Sequence, residues 1–137
     1  RQRRVEQLSE VFRWAKARYP EKSLVLAGHS FGTDTALLSA LELTVDKLML
    51  FSPHPPGYLI GAQRYGEVTC PVSVFVGSED WTRDGVGPKE RLKVVEVLPE
   101  GTESTVLPGV SHMDFAFSGL VKQSLNIVMP EEISKRR

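Results

Sequence analysis

Cysteines, an excess of one charge, long apolar runs and metal-binding patterns are scarce or absent in this sequence. It carries one cysteine in 137 residues, Cys70, so an internal disulfide is excluded. Seventeen basic and seventeen acidic residues balance each other, which gives no sign of a nucleic-acid or acidic-polymer partner. No apolar run is long enough for a membrane span, and no signal peptide is visible. The sequence has no His/Cys/Asp spacing typical of a zinc site and no glycine-rich loop of the phosphate-binding type. Neither a metal nor a cofactor is therefore predicted. The length predicts a single domain over residues 1–137.

The two ends and the cysteine carry little functional information. The chain begins at Arg1 rather than Met, so we expect a processed product or a piece of a longer protein. The basic ends, residues 1–4 and 135–137, are interpreted as solvated tails. Cys70 precedes Pro71 and is expected to be a small buried residue rather than a reactive thiol.

Apolar runs and helical patterns alternate along the chain. Apolar spacing predicts helices over residues 3–18, 33–43 and 114–128. Short apolar runs predict strands at 23–27, 47–51, 72–76 and 104–107. A further helix is predicted from Pro88, although the valines that follow would also suit a strand. This alternation predicts an α/β fold with a mostly parallel sheet, flanking helices and right-handed crossovers.

The motif Gly28-His29-Ser30-Phe31-Gly32 lies between the first predicted strand and the following helix. Strand, G-x-S-x-G, helix is the context of a nucleophile elbow. A serine at the apex of so sharp a turn has a strained backbone, and both glycines are expected to let strand and helix approach. The backbone N–H of Phe31 is the candidate oxyanion donor. The flanking pattern disfavours the alternative, a purely structural tight turn.

Two further residues follow later strands. Asp80 comes after the third predicted strand and His112 after the fourth. Ligands of open parallel sheets bind beyond the carboxyl ends of the strands, so we expect Ser30, Asp80 and His112 to lie together. His112 would accept the proton of the serine hydroxyl. Asp80 would fix the tautomer of the imidazole and stabilise its cation.

Other acidic residues compete with Asp80. Glu79 and Asp84 are its nearest rivals, and an acid after a strand is also a common helix cap or turn former. Asp114 is expected to begin a helix rather than to bind a metal ion.

Two other histidines compete with His112. His29 occupies the variable position of the G-x-S-x-G motif and is expected to point away from Ser30. His54 lies in a proline-rich loop, where a solvated side chain is expected. Only His112 follows both Asp80 and a fourth predicted strand, so it is the preferred base.

These residues resemble the α/β-hydrolase fold, whose order is Ser, Asp, His, and within it the acid lipase family of gastric, lysosomal acid and steryl-ester lipases. Residues 28–33, GHSFGT, are similar to the family's GHSQGT, with Phe31 in place of glutamine. Residues 70–81, CPVSVFVGSEDW, are similar to its V-P-V-x-L-F-x-G-x-x-D-W segment. Leu98-Pro99 and residues 111–115, SHMDF, match its L-P and N-H-L-D-F landmarks, so the resemblance runs over most of residues 22–128.

The resemblance implies a serine ester hydrolase in which Ser30, Asp80 and His112 are nucleophile, acid and base. It implies neutral-lipid or other carboxylic ester substrates, a mechanism without cofactor or metal, and a secreted or lysosomal setting. Two alternatives stay open. One is a truncated, non-catalytic remnant of such a hydrolase. The other is a thioesterase or peptidase on the same fold, because a triad does not distinguish acyl substrates.

The chain departs from that family in two places. Only Pro53 to Thr69 stand where those lipases insert a cap, so an open site is expected. Only one helix precedes the elbow, which in the family follows the fifth of eight strands. We expect the missing amino-terminal strands to pair beside residues 23–27 and to supply the second oxyanion donor. An uncovered edge there favours self-association, which is therefore a candidate interaction.

Overall fold

The computed structural model describes residues 2–59 and 61–117. The helices and strands are α1 (Gln2–Arg18), β1 (Val25–His29), α2 (Phe31–Glu42), β2 (Lys47–Phe51), β3 (Val72–Glu79), α3 (Pro88–Leu92), β4 (Glu103–Ser111) and α4 (Asp114–Phe117). Short 3₁₀ segments cover Pro56–Tyr58, Ala62–Glu67 and Lys93–Val97. The helix predicted over 114–128 is described only for α4, and its remainder lies outside the described residues.

The described strands form one parallel sheet in the order β1-β2-β3-β4. The fold is therefore α/β with flanking helices, as the alternating sequence pattern predicted. In this topology every strand presents its carboxyl end at the same edge of the sheet. Residues that directly follow the strands are brought together there.

Alternate residues of the central strands enter two different apolar cores. Leu48 and Leu50 of β2 belong to the larger core, which α2 covers. Met49 and Phe51 point the other way, into a smaller core that also contains Phe115 of α4. Side chains on a strand alternate between faces, and here both faces are covered. Burial of each large apolar side chain stabilises the fold by about 1.5–3 kcal/mol.

The bounds of β1 differ from the predicted residues 23–27. The strand is Val25–His29, because it pairs in parallel with β2 from Val25 opposite Lys47 to His29 opposite Phe51. The shift brings the end of the strand directly to Ser30, and α2 begins at the next residue.

The bounds of β4 differ from the predicted residues 104–107. The strand continues to Ser111 through Pro108 and Gly109, two residues that commonly end a strand. Gly109 has a φ of 72°, and the register with β3 shifts between Gly77 and Glu79. This bulge absorbs the irregular residues, so that His112 directly follows the strand.

The segment after Pro88 is helical, as predicted. Its first turn is α3, and Lys93–Val97 continues as a 3₁₀ segment rather than as a strand. Val94 is fully buried in the larger core, which accounts for the apolar character that also suited a strand.

Each edge strand of the described sheet, β1 and β4, pairs with one neighbour only. At the first edge β1 pairs with β2, and Ala27 in the middle of β1 is exposed. A small apolar cleft of about 140 Å³ separates β1 from α1 and is lined by Leu8, Val11, Phe12, Ala15, Leu24, Val25, Leu26 and Val45. Within residues 2–59 and 61–117, no helix has the length and apolar character needed to cross a bilayer.

Candidate active site

Ser30 occupies a strained turn between β1 and α2. Its φ of 53° and ψ of −119° lie in a region that residues with a side chain rarely adopt. Two contacts hold the turn: the Ser30 N–H donates to the carbonyl of Phe51 at 3.1 Å, and the Thr33 hydroxyl donates to the carbonyl of Ser30 at 2.6 Å. The surrounding structure thus fixes the serine at the carboxyl edge of the sheet.

The two glycines of the motif have different roles. A β-carbon on Gly28 would lie 2.5 Å from the carbonyl oxygen of Gly32, which is backbone and cannot move aside. A β-carbon on Gly32 would meet no atom within 4 Å. The expectation that small neighbours are required is therefore confirmed at Gly28 and wrong at Gly32, because it is the backbone of Gly32 that fills the space beside Gly28.

His112 bridges Ser30 and Asp80. Its Nδ1 lies 2.7 Å from Asp80 Oδ1, and its Nε2 lies 2.9 Å from Ser30 Oγ. An ionised carboxylate only accepts hydrogen bonds, so Nδ1 carries the proton and Nε2 of the neutral ring accepts from the serine hydroxyl. The structure thus brings together the three residues that the sequence placed after β1, β3 and β4.

Contacts at the end of β4 position His112 in this site. A β-carbon on Gly77 would lie only 1.9 Å from the carbonyl oxygen of Val110, so the close packing of β3 on β4 requires glycine there. Beyond the strand, the N–H of Ser111 donates to the Asp114 carboxylate at 2.7 Å. This hydrogen bond lowers the pKa of Asp114 and marks it as the residue that begins α4, as expected.

Asp80 is fully buried and has three partners. Besides His112, the Ser52 hydroxyl donates to Oδ2, and Nε of Arg91 lies 3.0 Å from Oδ1. Burial of a carboxylate is costly unless charge and hydrogen bonds compensate it, and these partners do so. The carboxylate is therefore held in one orientation by groups on three different segments.

Sequence reasoning missed Ser52 and Arg91. Ser52 directly follows β2, so the rule that selected Ser30 could also have found it. With Ser30, it is one of two non-glycine residues with positive φ in the described part of the chain, at 48°. No sequence signal marks Arg91, because its role depends on how α3 packs.

The other two candidate acids, Glu79 and Asp84, lie at the surface of the protein. Glu79 is the exposed last residue of β3. Asp84 is exposed as well, and it accepts hydrogen bonds from the Thr82 hydroxyl and the Val86 N–H. The first of these bonds is the main cause that lowers the pKa of Asp84. Asp80 is the acid that contacts His112.

His54 is not the solvated side chain that the sequence predicted. It is half-buried, with its ring centroid 4.7 Å from that of Phe31 and 6.0 Å from that of Tyr58. Burial first, and then the positive charge of Arg91, lower the pKa of His54 below its ordinary value. The loop after β2 begins at the same sheet edge as the other site residues. That position in the sequence could have indicated that His54 lies beside the site.

An open cleft of about 340 Å³ lies above these residues. Its lining consists of Ser30, Phe31, His54, Thr82, Arg83, Asp84, Arg91 and His112. The N–H of Phe31 is the first of α2 and has no acceptor within the helix, so it is available to an anion. Among residues 2–59 and 61–117, no cluster of three or more His, Cys, Asp or Glu side chains is placed to hold a metal ion. The arrangement can activate a hydroxyl and stabilise a developing negative charge.

Known structures share this fold. An α/β serine hydrolase homologue from Coxiella burnetii is 23% identical with a TM-score of 0.74, over 91% of this chain and 58% of that one. An α/β serine hydrolase without a lid from Xanthomonas campestris is 26% identical with a TM-score of 0.69, over 89% and 53%. The esterase domain of a Rhodothermus marinus protein is 18% identical with a TM-score of 0.68, over 89% and 67%. The chain has the α/β-hydrolase fold and spans about three fifths of the length of these structures.

Sequence comparison identifies a family. No curated protein sequence matches the chain. The family model described as lipase (class 3) matches residues 3–74, slightly more than half of the 137 residues, and this region includes Ser30. The acid lipase resemblance is not confirmed by this match; the coarser assignment, a lipase- or esterase-like α/β hydrolase, is. The chain belongs to the class 3 lipase family.

Proposed function

We propose that this chain carries the nucleophile, base and acid of a serine carboxylic ester hydrolase, in Ser30, His112 and Asp80. One observation carries the proposal: a single imidazole contacts the Ser30 hydroxyl at 2.9 Å through one nitrogen and the Asp80 carboxylate at 2.7 Å through the other. A serine hydroxyl is a weak nucleophile until a base removes its proton, and this geometry supplies that base.

In the first half of the reaction, Ser30 Oγ attacks the ester carbonyl carbon while its proton passes to His112 Nε2. The carbonyl oxygen becomes an oxyanion, which accepts a hydrogen bond from the N–H of Phe31. Asp80 stabilises the imidazolium through Nδ1–H. The C–O bond to the alcohol then breaks, the alcohol leaves with the proton from Nε2, and an acyl ester remains on Ser30.

In the second half, a water molecule replaces the alcohol. His112 Nε2 takes a proton from the water as its oxygen attacks the acyl carbon, and the same oxyanion donor acts again. The bond to Ser30 Oγ breaks, and the proton returns from Nε2 to the serine. The products are a carboxylic acid and an alcohol. No step needs a cofactor or a metal ion.

The proposed substrates are neutral-lipid or other apolar carboxylic esters. Phe31 is 66% exposed beside the serine, and its ring lies against that of His54, which also lines the cleft and has Tyr58 on its other side. The segment from β2 to β3 is short, which favours an open site, and the Xanthomonas campestris neighbour is itself described as lacking a lid. The acid lipase resemblance of residues 70–81 and 111–115 extends beyond the matched family region, residues 3–74, and supports the same substrate class.

A second candidate is that these residues are inactive until another segment completes the site. The observation that favours it is the open edge of β1 together with the partial coverage of the matched structures. A further oxyanion donor would come from outside the described residues, and the loss of one such donor costs about 10²–10³ in rate. Self-association through the β1 edge is a related proposal, tested by sedimentation of the purified chain over a range of concentrations.

The proposal is tested by hydrolysis of p-nitrophenyl esters of increasing acyl length. We expect turnover that is insensitive to chelators, abolished in Ser30→Ala and nearly abolished in His112→Ala. A preference for longer acyl chains would support lipid esters. Turnover that is retained in Ser30→Ala would contradict the mechanism. Thioesters and peptide substrates in the same assay distinguish the other acyl classes.

A further inference from the structure

The buried cation Arg91 is tied to the acid of the proposed triad. Its side chain is 1% exposed and extends from α3. Nε lies 3.0 Å from Asp80 Oδ1, while Nη1 donates to the carbonyl of Pro53 at 3.1 Å and Nη2 to the Thr82 hydroxyl at 3.0 Å. One guanidinium therefore joins the loop after β2 to the loop after β3, with Asp80 between them.

The contacts of Arg91 leave its guanidinium little freedom, and Nε also donates to the backbone carbonyl of Asp80 at 3.4 Å. A planar guanidinium presents donors in fixed directions, and here each of its three nitrogens has a protein partner. A buried arginine is stable only beside compensating charge, and Asp80 supplies that charge. The pair is thus mutually dependent: removal of either charge leaves the other buried and uncompensated.

The electrostatic consequence concerns His112. A buried carboxylate with no other counter-ion would be neutralised by an imidazolium, and a protonated His112 could not accept the proton of Ser30. Arg91 contacts the same oxygen, Oδ1, that His112 contacts. The carboxylate is therefore already neutralised when the imidazole is uncharged.

We propose that Arg91 is a positioning residue that orients Asp80 and, by compensating the charge of its carboxylate, favours the neutral, proton-accepting form of His112. The inference rests on the proposed function, because it concerns the base of that mechanism. Arg91 belongs to the lining of the cleft but is only 1% exposed, and its proposed role is to act through Asp80 rather than on the substrate.

Other titratable and charged groups surround the same pair. They are His29 of β1, His54 after β2, Glu79 at the end of β3, Arg83 and Asp84 after it, and Asp114 at the start of α4. Arg91 is the cation that contacts the Asp80 carboxylate, so its removal is expected to have the largest effect.

The test compares the acid limb of the pH–rate profile in the wild-type chain, Arg91→Met and Arg91→Lys. We expect the acid limb of Arg91→Met to move to higher pH by about one unit, the size expected for loss of a charge in contact. Arg91→Lys keeps the charge without the planar fork and should move the limb in the same direction by a smaller amount. Lys89→Met removes an exposed cation from the same helix and should leave the profile unchanged.

A second readout separates this inference from the proposed function. The NMR titration of the His112 ring in the substrate-free chain reports imidazole protonation without any turnover, and it should show the same upward shifts. If the wild-type chain does not hydrolyse esters but the shifts occur, the proposed function fails and the role of Arg91 stands.

Failure of one variant to fold does not leave the inference untested. If Arg91→Met does not fold, the inference is judged by whether the acid limb and the His112 titration move to higher pH in Arg91→Lys. An unchanged limb and an unchanged His112 titration in every variant that folds would overturn the inference, even with ester hydrolysis established.

Discussion

The imidazole of His29 donates a hydrogen bond from Nε2 to the backbone carbonyl of His112 at 2.7 Å, and the two rings lie 5.1 Å apart. A carbonyl only accepts, so Nε2 carries the proton in this contact. His29 ends β1 and His112 follows β4, which are the first and last strands of the described sheet order. The contact therefore ties the proposed base to the turn that holds Ser30, across the full width of this sheet.

Removal of this contact should loosen the base. In His29→Phe the ring is kept near Phe115 but the donor is lost, so we expect a loss of about 0.5–1.5 kcal/mol in the free energy of unfolding. The rate of ester hydrolysis should fall by about tenfold, because a misplaced catalytic group loses rate steeply. His29→Gln, which can still donate, should recover part of both. Urea unfolding and kcat measure the two effects, and a His29→Phe variant equal to wild type in both would show that the contact is dispensable.

The two glycines of the motif provide a matched pair of variants. Gly28→Ala places a β-carbon 2.5 Å from backbone and should cost about 1–3 kcal/mol, with a large loss of Ser30 reactivity. Gly32→Ala meets open space within α2, where alanine is favoured over glycine by about 1 kcal/mol, so stability should be equal or higher. Thermal unfolding of both variants is the measurement. Equal destabilisation by the two substitutions would contradict the described turn.

The identity of the acid is tested by Asp80→Asn. The amide cannot hold His112 in the required tautomer, so we expect kcat to fall by about 10³–10⁴. Glu79→Gln is the matched control, because Glu79 is the exposed neighbour of Asp80 and should be needed for neither rate nor fold. A near-normal rate in Asp80→Asn would transfer the role of the acid to another residue, Glu79 or Asp84.

The pKa of His54 predicts a pH dependence of stability. Burial lowers this pKa below the ordinary value of 6.5, so below pH 6.5 the unfolded chain binds more protons than the folded chain. Its contribution to stability therefore falls as the pH drops below 6.5, and levels off below the folded-state pKa. His54→Gln should remove this component. Urea unfolding from pH 7.5 to 5 measures it as a difference from wild type, and identical pH slopes in the two proteins would refute it.

The sequence predicted the parts of the site that depend on strand order. Parallel strands bring their carboxyl ends to one edge, so Ser30, Asp80 and His112 could be placed together from the pattern alone. Strand bounds were less accurate, because the pairing of β1 with β2 and the bulge at Gly77 set them. Such features depend on partners distant in sequence, and a local pattern does not contain them.

The supporting contacts could not be predicted in the same way. Arg91 reaches Asp80 because α3 packs against β3, and nothing in its local sequence distinguishes it from an exposed arginine. His54 is half-buried because Phe31 and Tyr58 lie beside it, although a proline-rich loop is typical of solvated residues. Side-chain burial in loops is decided by tertiary packing rather than by composition.

Fluorophosphonate labelling tests directly, without assuming a substrate, whether these residues assemble a reactive serine. The purified chain and Ser30→Ala are treated in parallel and analysed by intact mass, with folding checked by circular dichroism. We expect one adduct on the wild-type chain and none on Ser30→Ala if Ser30 is the nucleophile. A folded wild-type chain that takes up no adduct, or an adduct that persists in Ser30→Ala, would contradict this role of Ser30.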